Sequence, residues 1–336
     1  MPPLSFSRLT NLLARAGFDW FLLALIGVIV LASQWPEVGV QEEPVSLSEI
    51  AGYGVTLIFF FYGLRLNPRK LREGLGNWRL HLVVHLATFV IFPLLLLAVK
   101  PLISGERNQL LWLGAFYLAA LPSTVSSSVV MVSIAGGNML AAIFNASISS
   151  LLGVFITPLW MGLFLATSSG DYDISVIIAK LMLQVLAPVL LGLLLNKRLG
   201  TFAEKYRKQM RYFDQVVILL IVYTSFCESF ALNMFEGYSS GDILKLAGLM
   251  VGLFFLVYLI IYGISRLLNF NREDRIAALF CGSKKSLVQG TVMSKVLFPD
   301  ATIIGVVLLP IMLYHALQLI AASIIAQAMA RKAGGE

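Results

Sequence analysis

The sequence predicts an all-α polytopic membrane protein with ten transmembrane helices. Three observations carry that expectation: the shortage of charge, the length of the apolar runs, and the alternation of charge between them. Of 336 residues, 58% are hydrophobic and 13% charged, and the mean hydropathy is +0.85. A soluble domain carries about 25% charged residues. A chain with so little polar material cannot cover its surface in water, so lipid is its solvent.

The apolar runs occupy about 18–34, 48–64, 80–99, 109–135, 139–167, 174–195, 214–234, 243–265, 275–297 and 300–328, the fourth and ninth being interrupted. A hydrocarbon core of roughly 30 Å needs about 20 helical residues. The apolar character is continuous and does not alternate with period two, which selects helices over a barrel.

The net charge of +7 would suit nucleic acid, but its distribution excludes that partner. Eighteen basic residues fall in the termini and alternate loops: Arg8 and Arg15, the set from Arg65 to Arg79, that from Lys197 to Arg211, then Arg266, Arg272, Arg275, Arg331 and Lys332. The other loops hold only Lys100, Arg107, Lys245 and Lys295 beside acids such as Glu42, Glu106, Asp171 and Asp242. This positive-inside pattern keeps step through all ten runs. It predicts a multi-pass protein of the bacterial inner membrane with both termini cytoplasmic. No cleavable signal peptide is expected, because Trp35 and Pro36 follow the first run where small residues would be needed. Residues 1–17 read either as an amphipathic helix on the inner surface or as a loose tail. Cys227 and Cys281 both fall inside apolar runs, so no disulfide framework organises the chain.

The basic loop 196–212 and the acidic loop 168–174 divide the chain into halves, 1–170 and 171–336, of five runs each. An odd number gives the halves opposite orientation, so a 5+5 inverted repeat is expected. The fourth run of each half is broken by polar residues. One break reads Leu121-Pro122-Ser123-Thr124-Val125-Ser126-Ser127-Ser128, the other Phe280-Cys281-Gly282-Ser283-Lys284-Lys285-Ser286-Leu287. Non-helical backbone at membrane depth survives only inside protein or beside a watered cavity. Paired interruptions in matching positions point to a secondary-transporter site where two broken helices cross at the midplane. The alternative is a structural kink in each helix, capped by serines.

Four stretches resemble the bile acid:sodium symporter family, in its SBF-like branch: GLRLNPRKLREGLGNWRLHL at 63–82, LPSTVSSSVVMVSIAGGNMLAAIFNASISSLLGVFITP at 121–158, FCGSKKSLVQGTVMSKVLFP at 280–299 and LPIMLYHALQL at 309–319. The resemblance implies a panel domain of spans 1, 2, 6 and 7 against a core domain of spans 3, 4, 5, 8, 9 and 10. It further implies that broken helices 4 and 9 cross in the core, and that access alternates as the two domains move. The family's sodium ligands carry over poorly. Its Ser-Asn pair is Ser128-Val129 here, two hydroxyl ligands become Ala142 and Ala146, and a glutamine becomes Thr88. Its acidic ligand is Phe280 and its two amides are Lys284 and Lys285. Ser128 and Thr88 remain as candidate sodium ligands, but two ammonium groups repel a cation. Sodium coupling by the family's geometry is therefore not expected. A rebuilt sodium site, a proton or no coupling ion at all are open, and no other cofactor is expected.

The candidate substrate- or ion-binding residues are Ser126, Ser127, Ser128, Gly282, Ser283, Lys284, Lys285, Ser286, Thr88, Asn145, Glu228, His315 and Gln318. A charged lysine at a helix centre costs roughly 2.5–3.5 kcal/mol on insertion scales, so two in succession need compensation. One lysine could stand in for a bound cation, exchange a proton, or attract an anionic substrate; snorkelling to an interface is the structural alternative. Glu228 could pair with Lys284, Lys285 or Lys180, relay a proton, or face an interface. His81 and His85, four residues apart, suit helix packing better than metal, since no third ligand is evident. Asp19 and Asp214 read as helix caps. Small and polar residues along 145–150 fit either close packing or a cavity wall.

The function expected is carriage of a small organic anion through the lipid bilayer, with no obligatory protein partner. A non-transporting sensor on the same fold is the second class. An intramembrane enzyme is the third, and the zinc and aspartate-rich motifs it would need are missing from the sequence.

Overall fold

The computed structural model describes residues 20–41, 43, 46–65, 76–165, 182–298 and 300–333. Among the described residues every regular element is helical. The chain runs through α1 (Trp20–Gln34), the short α2 (Pro36–Val40) and α3 (Leu47–Arg65). α4 (Trp78–Leu86) continues through a π turn (Ala87–Ile91) into α5 (Phe92–Val99). α6 (Glu106–Ala120), α7 (Ser126–Ile134) and α8 (Met139–Leu165) follow. A second π turn (Met182–Leu186) opens α9 (Ala187–Lys205), which leads to α10 (Arg207–Ala231) and α11 (Ser240–Leu267). α12 (Arg272–Gly282), α13 (Leu287–Leu297) and α14 (Ile304–Ala333) complete the described chain.

Helix starts fall where side chains can accept orphan amides. Asn77 accepts from Leu80 at 3.3 Å, Asn271 from Asp274 at 2.7 Å, and Ser239 forms a reciprocal capping box with Asp242. Seven helices among the described residues are long and apolar enough to cross a membrane: Leu47–Arg65, Trp78–Leu102, Met139–Leu163, Leu183–Lys205, Arg207–Ala231, Ser240–Leu267 and Ala301–Arg331. The stretch Leu23–Gln34 is apolar but shorter. The pairs α6/α7 and α12/α13 are interrupted at 121–125 and 283–286, where the sequence places its breaks. Leucines such as Leu194, Leu244 and Leu259 turn outward, as a lipid-facing surface requires.

The expected central loop is corrected. Residues 196–212 are not a loop: α9 runs to Lys205, a single residue (Tyr206) turns the chain, and α10 begins at Arg207. Long basic side chains are good helix formers, so both helices extend past their apolar runs. The loop 168–174, Lys180, Asp19 and residues 1–17 lie outside the described residues.

Packing relies on close backbone approach. A β-carbon on Gly63 of α3 would overlap the Val189 carbonyl of α9, and one on Gly192 of α9 would overlap that of Phe60. Without a hydrophobic force between helices in lipid, such small-residue contacts hold them together. α10 packs on α1, α2 and α3, and also meets α13 and α14. α12 lies among α4, α7, α8 and α11. Asp214 does not cap a helix; it sits inside α10 and takes the Arg65 guanidinium at 2.8 Å.

Candidate functional site

The first break begins with Pro122, which disfavours helix at the residue before it. Leu121 is extended accordingly (φ −71°, ψ 153°). Ending α6 there strands its last carbonyls, and several of their partners can be named. Thr157 of α8 donates to the Ala120 carbonyl at 2.8 Å. The Ser286 amide of the second break donates to the Pro122 carbonyl at 2.9 Å. The Lys285 ammonium donates to Ala119 at 2.6 Å and Leu121 at 2.8 Å.

A third bond from Lys285 reaches the Thr88 carbonyl at 2.6 Å. That carbonyl is orphaned by its own helix. In the π turn Phe92 donates to Ala87, so the next donor would belong to Pro93, which has none. Three acceptor-only partners require three hydrogens on Nζ, so Lys285 is an ammonium with every donor used. The Phe92 ring, 4.1 Å away, adds a cation–π contact. Lys285 is buried at 1% exposure. It also sits at the negative end of α6, where the helix dipole favours a cation.

Gln318 of α14 holds the same residue by its backbone. Its Oε1 accepts from the Lys285 amide and its Nε2 donates to the Lys285 carbonyl, both at 2.8 Å. That pairing fixes the amide's orientation. The second hydrogen of Nε2 therefore points to His315 Nδ1 at 3.1 Å, making His315 Nδ1 an acceptor. Tyr314 donates to the Ser283 carbonyl at 2.6 Å, and Tyr117 to the Gly290 carbonyl at 2.6 Å. Ser286 caps α13 through Gln289, and Ser283 Oγ bonds back to Leu279 at 2.6 Å.

Lys284 is different. It is fully buried, and its Nζ has no hydrogen-bond partner.

The remaining candidates divide. Thr88 contributes its carbonyl, while its hydroxyl is bonded back to Val84 at 2.8 Å. Ser127 and Ser128 cluster on Thr124 Oγ1 at 2.6 and 3.1 Å, beside the N-terminus of α7, which has no side-chain cap. Ser126 opens that helix. Asn145 pairs with His81 at 3.1 Å, so the histidine joins α4 to α8. Gly282 lets Ile261 of α11 approach closely. Glu228 pairs with neither Lys284 nor Lys285: its partner is Lys295 at 3.9 Å, which also donates to Ser48 at 3.2 Å. Lys295 lies inside α13 and not in a loop, which is why it can reach Glu228 of α10. No group of three or more metal-binding side chains occurs among the described residues.

Sequence reasoning missed Tyr117, Thr124, Thr157 and Tyr314. Only Tyr314, next to His315, and Thr124, inside the first break, carried a positional signal. An open hollow of about 870 Å³, lined by Lys100, Arg107, Trp112 and Tyr238 among others, contains none of the crossover residues.

Two broken helices joined by buried polar bonds inside an apolar bundle define a membrane transport protein. The chain belongs to the SBF-like CPA transporter family, whose profile matches residues 19–331. It is similar to an uncharacterized protein of Pseudomonas aeruginosa (39% identity, covering 94% of this chain and 93% of the relative). It is also similar to YfeH of Escherichia coli K12, provisionally named a symporter (36%, with 94% and 93% covered). Sodium/bile acid cotransporter 7-A of Xenopus laevis is 31% identical over 94% of this chain and 92% of its own length.

Proposed function

We propose that the protein is a secondary transporter that carries a small organic anion across the bacterial inner membrane by alternating access. In this reading ten spans form two inverted halves, 1–170 and 171–336, with both termini cytoplasmic. The panel comprises α1, α3, α9 and α10, and the core comprises α4–α8 and α11–α14. The crossover of the two breaks is the binding site. An anion suits a site whose two buried basic side chains are lysines, and the names of the cotransporter relatives agree with an organic acid.

The observation that carries the reading is the Lys285 ammonium on three backbone carbonyls. A cation at those oxygens joins the α4–α5 helix, α6 and the second break. Here that cation is covalently tethered, so the crossover is complete without sodium. The carrier is accordingly sodium-independent.

Uptake of radiolabelled taurocholate and of pyruvate into proteoliposomes, with sodium and proton gradients imposed separately, tests this. Uptake unaffected by sodium is expected. Sodium-stimulated uptake lost on changing Ser128 or Thr88 would restore a sodium site. Binding without uptake under either gradient would favour the sensor.

A further inference from the structure

We propose that Lys284 is the receptor for the anionic group of the transported solute and sets its class: an organic monoanion such as a carboxylate or sulfonate. The inference rests on the carrier reading above and deepens it, by dividing the labour between two adjacent lysines. Lys285 has spent all three hydrogens on carbonyl oxygens and has none to offer a ligand. Lys284, equally buried, has spent none.

Among the described residues no acceptor forms a hydrogen bond with its amine in this conformation. His315 Nδ1, an acceptor on the neighbouring helix, already receives the Gln318 amide hydrogen. Cys281 directs its thiol to the Ala142 carbonyl at 3.8 Å. The described carboxylates inside the bundle are engaged elsewhere. Asp214 holds Arg65, Glu228 holds Lys295, and Asp274 receives Asn77 at 2.6 Å and Asn138 at 2.7 Å. A buried amine without a counter-charge rests neutral and takes up a proton when an anion joins it, and the described residues supply no such anion to Lys284.

The surroundings fit an anion. The Ser123 hydroxyl of the first break, a donor an anion could use, is also buried without a partner. Half-helices α7 and α13 both begin at the crossover, so their positive ends face it, and α7 carries no side-chain cap. The negative end of α6 is the one already neutralised, by Lys285. One amine, protonated as the anion binds, pairs with one negative charge, which is the argument for a monoanion. Because Lys284 is sealed from solvent in this conformation, the anion reaches it only when the helix groups part, as alternating access demands.

The test compares adjacent lysines by thermal unfolding of detergent-purified protein, with and without taurocholate or benzoate as probe. Lys284→Met is expected to melt at or above the wild-type midpoint without probe, since it removes an unpaired buried amine. It should lose the probe-dependent rise, with at least a tenfold weaker apparent affinity, and Lys284→Arg should retain part of it. Lys285→Met should melt lower. A Lys284→Met midpoint well below wild type would show a structural lysine and overturn the proposal. So would a probe-dependent rise that Lys284→Met keeps. No rise for either probe in the wild type also rejects Lys284 as a monoanion receptor, while the carrier reading still stands or falls on the uptake measurement.

Discussion

The amide of Ser286 and the carbonyl of Pro122, 2.9 Å apart, join the two broken helices directly, backbone to backbone. Each break thus supplies what the other lacks. Pro122 ends α6 and exposes carbonyls; the second break brings an amide at Ser286 and an ammonium at Lys285 to meet them. With Thr157 of α8 and with Tyr314 and Gln318 of α14 the two breaks pair these backbone groups, and the Lys284 amine stands outside that network.

Removing Lys285 undoes that satisfaction. Each buried acceptor left unpaired costs about 1–3 kcal/mol, and Lys285→Met strands three. A loss of several kcal/mol is expected, on the order of 3–6 kcal/mol after partial relaxation. Denaturant or thermal unfolding in detergent measures it. Lys285→Arg should not rescue, because a planar guanidinium cannot converge its donors on three carbonyls as a tetrahedral ammonium does. A variant as stable as wild type would refute the tethered-cation account.

Much of this arrangement was legible in the sequence. Run length and charge alternation anticipated the helices, and Pro122 together with the lysine pair marked the two breaks. The fate of each lysine was not legible, because the partners of Lys285 are the backbone oxygens of Thr88, Ala119 and Leu121, and a carbonyl has no letter of its own. Thr88 stood out for its hydroxyl, yet it is its carbonyl, freed by Pro93, that matters. Lys295 was hidden for another reason. It stands near the edge of its apolar run, and only the interruption at 283–286 shows that α13 carries it to Glu228.

Gln318 tests how the second break is held. Gln318→Glu keeps the acceptor for the Lys285 amide but turns the donor facing the Lys285 carbonyl into a second acceptor. Two buried oxygens then face each other, and a loss of about 2–4 kcal/mol is expected. Gln318→Leu, which loses both bonds without adding repulsion, should cost less. Unfolding midpoints of the two variants give the order. The reverse order would mean that Gln318 is a space-filler.

The Glu228–Lys295 pair links α10 to α13, and Ser229 of α10 also donates to the Thr302 carbonyl just before α14. In the proposed architecture these contacts cross from panel to core at the extracytoplasmic end, so they must break when that end opens. At 3.9 Å the pair is long, and with side chains only 10% and 15% exposed its attraction is largely offset by the desolvation of both charges. Glu228→Gln leaves Lys295 without its counter-charge, so it should lower the unfolding midpoint while shifting the population toward the outward-open form. Spin-label distances between residues 48 and 294 would report the shift. An unchanged distance distribution would remove the pair from the gating account.

Close approach of α3 and α9 gives the last prediction, and it separates packing from propensity. A β-carbon at Gly63 or Gly192 meets fixed backbone and not a movable side-chain tip. The helices must separate, losing contacts along their whole length, and overpacking of this kind costs about 1–3 kcal/mol or more. Gly248 of α11 is the control, since a methyl group added there meets nothing within 4 Å. There the gain in helix propensity acts alone, about 0.8–1.0 kcal/mol in favour of alanine. Gly63→Ala and Gly192→Ala should lower the unfolding midpoint, and Gly248→Ala should hold or raise it. Equal tolerance at all three positions would mean that α3 and α9 are held by something other than glycine-mediated contact. The opposite signs are expected because the same added carbon meets a neighbouring helix at two sites and open space at the third.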